Sequence, residues 1–188
     1  AWPFAGLMQA PDGNLYGTTT SGGRGGSGTV FRITPGGTLT TLYGFNGGDG
    51  AVPRAGLVQA SDGNFYGTTS GGNETWGTIF KITPTGFLTG LHYFNFTDGA
   101  AWPFAGLMQA PDGNLYGTTT SGGRGGSGTV FRITPGGTLT TLYSFCSQPN
   151  CADGGAPDAG LVQASDGHFY GTTSEGPPGG YGTVFKIT

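Results

Sequence analysis

The dominant feature of this sequence is an internal repeat of about fifty residues. The tripeptide Ala-Gly-Leu begins at Ala5, Ala55, Ala105 and Ala159, so successive copies start 50, 50 and 54 residues apart. Residues 1–43 are identical to residues 101–143. A fixed period of this length is typical of chains in which each repeat is one supersecondary unit that stacks on its neighbours. The sequence predicts a single tandem-repeat domain over residues 1–188, or a segment of a longer array, with repeats at about 1–50, 51–100, 101–154 and 155–188.

Within each copy, apolar residues alternate with polar ones over short runs, as in β-strands rather than helices. The runs are rich in valine, isoleucine, tyrosine and phenylalanine, which favour strands. Turn-forming residues separate them, for example Asp12-Gly13 and Pro35-Gly36-Gly37. The first three copies contain a fourth run, at residues 38–45, 87–94 and 138–145. Each complete repeat is therefore predicted to form four antiparallel strands.

A small sheet cannot bury both faces by itself, so sheets from neighbouring repeats are expected to pack face to face. Radial packing gives a β-propeller, whose blades have repeats of about this length. The predicted fold class is all-β, a propeller of four-stranded antiparallel blades whose last blade lacks its outer strand. The alternative is a β-solenoid-like stacked array, but solenoid coils usually repeat at shorter spacing.

The last repeat is predicted to have an open edge, because Thr188 directly follows its third strand. Three explanations remain open: the chain continues, another molecule donates the missing strand, or the edge stays free. A free edge offers unpaired backbone groups to another chain. Self-association, into a homo-oligomer or a filament, is therefore an expected property.

Four motifs of the repeat also occur in a known family. They are Ala-Gly-Leu, Asp-Gly-Asn-(Leu/Phe)-Tyr-Gly-Thr-Thr, Gly-Thr-Val-Phe-(Arg/Lys)-Ile-Thr-Pro, and Leu-Tyr-Ser-Phe followed by Asp-Gly. In these motifs the chain resembles bacterial secreted and cell-surface proteins with GloVer-type "choice-of-anchor" tandem repeats, over essentially its whole length. The resemblance implies an extracellular, surface-associated array and supplies no catalytic residues.

Composition and motifs exclude several functions. Charged residues make up 9% of the chain and the net charge is −3, with no basic stripe, so nucleic acid is not an expected partner. No apolar run reaches the roughly eighteen residues of a membrane-spanning helix. Neither histidine has a second ligand at metal-binding spacing, and no nucleophile elbow or phosphate loop is present. The sequence predicts no metal site, no cofactor and no enzymatic activity.

Two features suggest an oxidising, extracellular environment. Cys146 and Cys151 lie close together in a polar turn and are predicted to form a disulfide, the alternative being two free thiols. Asn73-Glu-Thr and Asn95-Phe-Thr match the N-glycosylation acceptor pattern. The expected location is extracellular or at the cell surface.

Two sets of aspartates recur before glycine. Members of the first set lie in the hairpin between the first two strands, where turn capping is expected: Asp12, Asp62, Asp112 and Asp166. Members of the second lie in the connectors between repeats: Asp49, Asp98 and Asp153. For the second set, capping is favoured over pairing with Arg24 or Arg124, and over Ca²⁺ binding, which needs more oxygen ligands.

A candidate ligand face follows from propeller topology, because the loops between second and third strands lie at the same end as the connectors. Aromatic rings there would stack on sugar rings, and polar groups would bind hydroxyls. The candidate residues are Trp2, Arg24, Asp49, Trp76, Asp98, Trp102, Arg124, Asp153 and Tyr181. The alternative for Trp2 and Trp102, each followed by proline, is packing between blades.

These observations favour an extracellular structural or adhesive repeat protein that acts as a binding scaffold. A carbohydrate-binding, lectin-like propeller is the alternative, with glycans as partners. A glycan-active hydrolase has the least support, because it needs two carboxyl groups that converge on one bond.

Overall fold

The computed structural model describes residues 2–95, 100–177 and 180–188. Over these residues the chain is all-β, with seventeen short strands and a 3-10 turn at Pro149–Cys151. The chain divides into two compact units, Ala1–Tyr93 and Phe94–Thr188. Each unit contains two of the main sheets.

In the first unit each repeat forms one antiparallel sheet whose four strands are hydrogen-bonded in chain order. The first sheet contains β1 (Met8–Gln9), β2 (Leu15–Thr19), β3 (Thr29–Ile33) and β4 (Leu39–Gly44). The second contains β5 (Val58–Gln59), β6 (Phe65–Thr69), β7 (Thr78–Ile82) and β8 (Leu88–Tyr93). The four strands per repeat are those that the sequence predicts.

The second unit begins with β9 (Ala100–Ala101), which pairs with β12 (Ser121–Gly122). The third sheet contains β10 (Met108–Gln109), β11 (Leu115–Thr119), β13 (Thr129–Ile133) and β14 (Leu139–Ser144). The fourth contains β15 (Val162–Gln163), β16 (Phe169–Thr172) and β17 (Val184–Ile187). Among the described residues this sheet has no fourth strand, so the outer edge of β17 is unpaired.

An aspartate holds the hairpin between the first two strands of each sheet, as predicted. The Asp12 carboxylate accepts bonds from the backbone and side-chain amides of Asn14 and from the hydroxyl of Tyr16, at 2.8–2.9 Å. These bonds lower the pKa of Asp12, and the side-chain bond from Asn14 has the largest effect. The same turn recurs at Asp62, Asp112 and Asp166.

A glycine in the second strand of each sheet allows a phenylalanine ring to lie across that strand. A methyl group on Gly17 would lie 2.7 Å from the Phe31 ring and 2.8 Å from the Leu7 side chain, closer than non-bonded carbons approach. The repeat's Tyr-Gly pair therefore places the tyrosine ring on one face of the strand and, on the other, leaves the room that the phenylalanine ring occupies. Equivalent glycines are Gly67, Gly117 and Gly171.

The two sheets of each unit pack face to face through aromatic contacts. In the first unit Tyr16 stacks on Phe65 with 4.1 Å between ring centroids, and Phe45 meets Phe80 edge to face at 5.2 Å. The second unit repeats both contacts, between Tyr116 and Phe169 and between Phe145 and Phe185. Burying one such side chain contributes about 1.5–3 kcal/mol, so these rings supply much of the cohesion between sheets.

Replacing Phe65 by alanine is expected to lower the free energy of unfolding by about 3–5 kcal/mol, because a buried ring is lost and a cavity forms beside Tyr16. Chemical denaturation followed by tryptophan fluorescence measures the loss. The control is Phe87→Ala, which removes an exposed ring and is expected to change stability by less than about 0.5 kcal/mol. Equal losses for the two variants would contradict the packing described.

Candidate functional site

Backbone hydrogen bonds join the loops between second and third strands to the connectors between repeats. In the first unit the Val52 N–H donates to the Ser27 carbonyl, and the Asn73 N–H donates to the Gly47 carbonyl, both at 2.9 Å. The second unit has the same arrangement, with bonds from Ala156 to Ser127 and between Gly155 and Glu175. We call these joined loops the loop end of each unit.

A residue in the left-handed region precedes the proline of three connectors. The φ angles are 57° at Val52, 56° at Trp102 and 50° at Ala156, which bulky and β-branched residues rarely adopt. The Val52 carbonyl accepts bonds from the N–H and the hydroxyl of Ser70, which hold this conformation in place. This conformation was not predicted from the sequence, although its signal recurs in the repeat: Trp-Pro, Val-Pro or Ala-Pro shortly before Ala-Gly-Leu.

In the first unit the connector aspartate caps its own turn. Asp49 accepts a bond from the Asn46 N–H at 3.0 Å and another from the Tyr43 hydroxyl. Burial and the bond to Asp49 raise the pKa of Tyr43 to about 12. No ion pair joins Asp49 to Arg24, both of which the structure describes. The capping role favoured by the sequence is confirmed here.

Asp153 is the equivalent residue of the second unit and is held by more bonds. Its carboxylate accepts the backbone N–H groups of Ser147 and Gln148 and the hydroxyls of Ser147 and Tyr143, at 2.8–3.2 Å. Burial alone would raise the pKa of Asp153, but these hydrogen bonds outweigh it and lower the pKa to about 2. The third member of this set, Asp98, lies outside the described residues.

The disulfide and the glycosylation motifs also lie in these loops. Cys146 and Cys151 are joined by a disulfide, the pairing that the sequence analysis expects. Asn73 is exposed, although its side chain packs against Gly47. Asn95 is exposed too, and the rest of its acceptor motif lies outside the described residues. Glycosylation at either site stays a prediction.

The candidate aromatic residues differ in exposure. The exposed fraction is 71% for Trp2 and 94% for Tyr181. Trp102 is less exposed and its ring lies parallel to that of Phe104, with centroids 6.4 Å apart, while Trp76 is half-buried. Most of the ring surface of Trp2 is therefore open to solvent in the described chain. Packing of Trp2 and Trp102 between blades stays a prediction.

In each unit the candidate residues lie on the joined loops that form its loop end. Trp2 is tied to the loop that carries Arg24, because its carbonyl accepts the Thr20 N–H at 3.0 Å. The first unit holds Trp2, Arg24, Asp49 and Trp76, and the second holds Trp102, Arg124, Asp153 and Tyr181. Both arginines are exposed. Ligand binding by these residues stays a prediction.

Within residues 2–95, 100–177 and 180–188, no group of three or more His, Cys, Asp or Glu side chains is placed to hold a metal ion. Among the same residues, no helix has the length and apolar character needed to cross a membrane.

Comparison with protein families confirms the resemblance seen in the motifs. The model of the Gloeobacter/Verrucomicrobia repeat matches residues 3–188. No curated protein is significantly similar to the chain.

Solved structures of low sequence identity share the fold. The extracellular domain of a protein from B. thetaiotaomicron, described as a one-component system, has 13% identity and a TM-score of 0.62, over 96% of this chain and 21% of that chain. A protein described as a gluconolactonase has 19% identity and a TM-score of 0.58, over 97% of this chain and 63% of that chain. A GH43 glycoside hydrolase with an engineered active site has 17% identity and a TM-score of 0.52, over 97% of this chain and 37% of that chain.

This chain spans less than two thirds of each of these solved proteins. Their folds are of the propeller type, which confirms the predicted all-β propeller class. The solenoid-like alternative is wrong, because each repeat forms its own antiparallel sheet rather than a coil.

Replacing Asp153 by asparagine is expected to destabilise the protein at neutral pH, because the ionised carboxylate accepts four hydrogen bonds in its loop. The folded-state pKa is depressed, so the contribution is present above the ordinary value of 3.8 and is lost as the pH falls through about 2. The deficit of Asp153→Asn, measured by denaturation, should therefore be full at neutral pH and disappear in strong acid.

Glu74→Gln is the control, because Glu74 is an exposed carboxylate of the first unit. We expect it to change stability little at any pH. A deficit of Asp153→Asn that does not depend on pH would contradict a role for the ionised carboxylate.

Proposed function

Because the chain belongs to the Gloeobacter/Verrucomicrobia repeat family, we propose that it is an extracellular structural or adhesive repeat protein, a binding scaffold that associates with copies of itself. The observation that carries the proposal is the outer edge of β17, which pairs with no strand within the part of the chain that the structure describes. Unpaired N–H and C=O groups on a sheet edge favour pairing with another chain.

A groove of about 310 Å³ lies beside this edge. It is lined by Tyr143, Phe145, Asp153, Val184, Phe185 and Ile187, among others. In the second sheet the counterparts of Phe185 and Ile187 are Phe80 and Ile82, which are fully buried. There Leu88 of the fourth strand packs against the core. The groove therefore suits a strand of the β8 type.

Three further observations support an extracellular, non-catalytic role. One solved structure of the same fold is an extracellular domain. A disulfide closes the loop at Cys146 and Cys151, as is usual in oxidising compartments. The carboxylates of Asp49 and Asp153 are engaged in capping bonds. The hydrolase and lactonase neighbours have low identity to this chain, so their activities do not transfer with the fold.

Self-association is expected to appear as a weight-average mass that rises with protein concentration, measured by size-exclusion chromatography with light scattering and by sedimentation equilibrium. A synthetic peptide with the sequence of residues 86–94 should bind the open edge of β17, and a scrambled peptide is its control. A strict monomer at the highest soluble concentration would overturn the self-association part of the proposal.

Carbohydrate binding is a second candidate function, favoured by the exposed rings of Trp2 and Tyr181. Exposed aromatic rings beside polar groups suit the apolar faces and hydroxyls of sugars. If a glycan array gives binding, Tyr181→Ala or Trp76→Ala is expected to weaken it by about tenfold, which corresponds to the loss of roughly 1.4 kcal/mol of ring contact. Arg24→Ala tests the polar contribution and Phe87→Ala is the control. Absent or unchanged binding would exclude this function.

A further inference from the structure

The side chains of each sheet form two faces of different composition. One, which we call the tyrosine face, carries Tyr16 and Val30 in the first sheet. The other, which we call the leucine face, carries Leu57, Phe65 and Phe80 in the second sheet. In the first unit the tyrosine face of the first sheet packs against the leucine face of the second. The second unit repeats this contact with Tyr116 and Val130 against Leu161 and Phe169.

The leucine face of the first sheet is exposed. Leu7 is 53% exposed, whereas Leu107, which has the same place in an identical sequence, is 8% exposed. Phe31 is also partly exposed, whereas its counterpart Phe131 is buried and has Phe94 packed on it at 5.8 Å. A groove of about 260 Å³ on the exposed face is lined by Pro3, Thr19, Gly23, Thr29, Phe31, Leu39 and Thr41. This sequence is therefore able to bury its leucine face, but does not do so in the first sheet.

The tyrosine face of the fourth sheet is exposed as well. Val184 is 79% exposed, whereas the equivalent residues Val30, Ile79 and Val130 are fully buried. Val162 is also exposed. A shallow groove on this face is lined by Ala159, Gly160, Val162, Tyr170, Gly171, Thr172 and Val184.

We infer that the tyrosine face of the fourth sheet in one molecule binds the leucine face of the first sheet in a second copy. The chain itself specifies this partner, because it makes the same kind of contact once in each unit with equivalent residues. The inference rests on the proposed self-association and assigns it to sheet faces, rather than to the free edge of β17 alone.

The contact is heterologous, because the two surfaces that meet are different. A bound pair therefore keeps one leucine face and one tyrosine face free. Heterologous contacts form rings when the rotation closes and open filaments when it does not. In the first sheet Tyr43 lies in the fourth strand and Phe45 directly follows it. The described part of the fourth sheet has no counterparts of these two residues, so the contact between copies should be weaker than the contacts inside each unit.

Two single substitutions test the assignment. Leu7→Asp places a carboxylate on the leucine face and Val184→Asp places one on the tyrosine face, at positions exposed in the free molecule. Each variant should associate with itself at least about tenfold more weakly than wild type, because burying an unpaired carboxylate is costly. Phe87→Asp, at another exposed apolar residue, is the control and should associate as wild type does.

Mixing the two variants is the decisive experiment. Leu7→Asp keeps an intact tyrosine face and Val184→Asp keeps an intact leucine face, so the mixture should form one-to-one dimers that cannot grow. Native mass spectrometry with one variant isotopically labelled identifies that species. Circular dichroism and thermal unfolding confirm that both variants are folded.

The remaining outcomes overturn the inference in different ways. A wild-type protein that stays monomeric removes both the self-association and this contact. A wild-type protein that associates, with variants that associate equally well, removes only the face contact and leaves the β17 edge as the route. Weakened variants that fail to form dimers when mixed show that the two faces do not bind each other.

Discussion

The structure depends on one contact, the packing of a tyrosine face against the leucine face of the next sheet. Its centre is a stacked pair, Tyr16 on Phe65 in the first unit, with an edge-to-face pair beside it. The contact is available because strand residues alternate between faces. Gly17 and its equivalents leave room for a phenylalanine ring on one face, while the adjacent tyrosine projects from the other. Since a single sheet buries neither face by itself, stability is shared between neighbours, as in other repeat proteins.

The connectors fix how closely two sheets approach. In the first connector a methyl group on Gly50 would lie 2.6 Å from the Thr69 hydroxyl and 2.7 Å from that of Thr78, and these two hydroxyls are bonded to each other at 2.8 Å. Only glycine fits there, with φ at 119°. Two residues on, Val52 adopts a left-handed conformation and is held by hydrogen bonds at its N–H and its carbonyl. Strain of this kind persists where surrounding contacts over-determine the backbone.

Local chemistry explains what the sequence could predict. The Asp-Gly hairpins, the four strands per repeat and the caps at Asp49 and Asp153 depend on residues close together in the chain, and the repeat period indicates the fold class. Left-handed residues before proline were missed, because the local rule for such positions favours extended backbone, whereas bonds to the loops of the preceding sheet and to the next sheet hold the observed conformation at Val52 and Ala156. The exposure of Trp2 and Leu7 was equally unpredictable. Identical sequences give exposed Leu7 and buried Leu107, so burial here is a property of the neighbours rather than of the repeat.

That dependence on neighbours bears on function. The carboxylates of Asp49 and Asp153 accept hydrogen bonds within their own loops. What the described chain leaves unsatisfied is apolar surface and backbone edge at its first and fourth sheets. Both are surfaces that the same sequence covers elsewhere with parts of itself, the first by a tyrosine face and the second by a fourth strand. The proposed self-association follows from this design, because a repeat that covers these surfaces with its own kind inside one chain offers the same surfaces to a second copy.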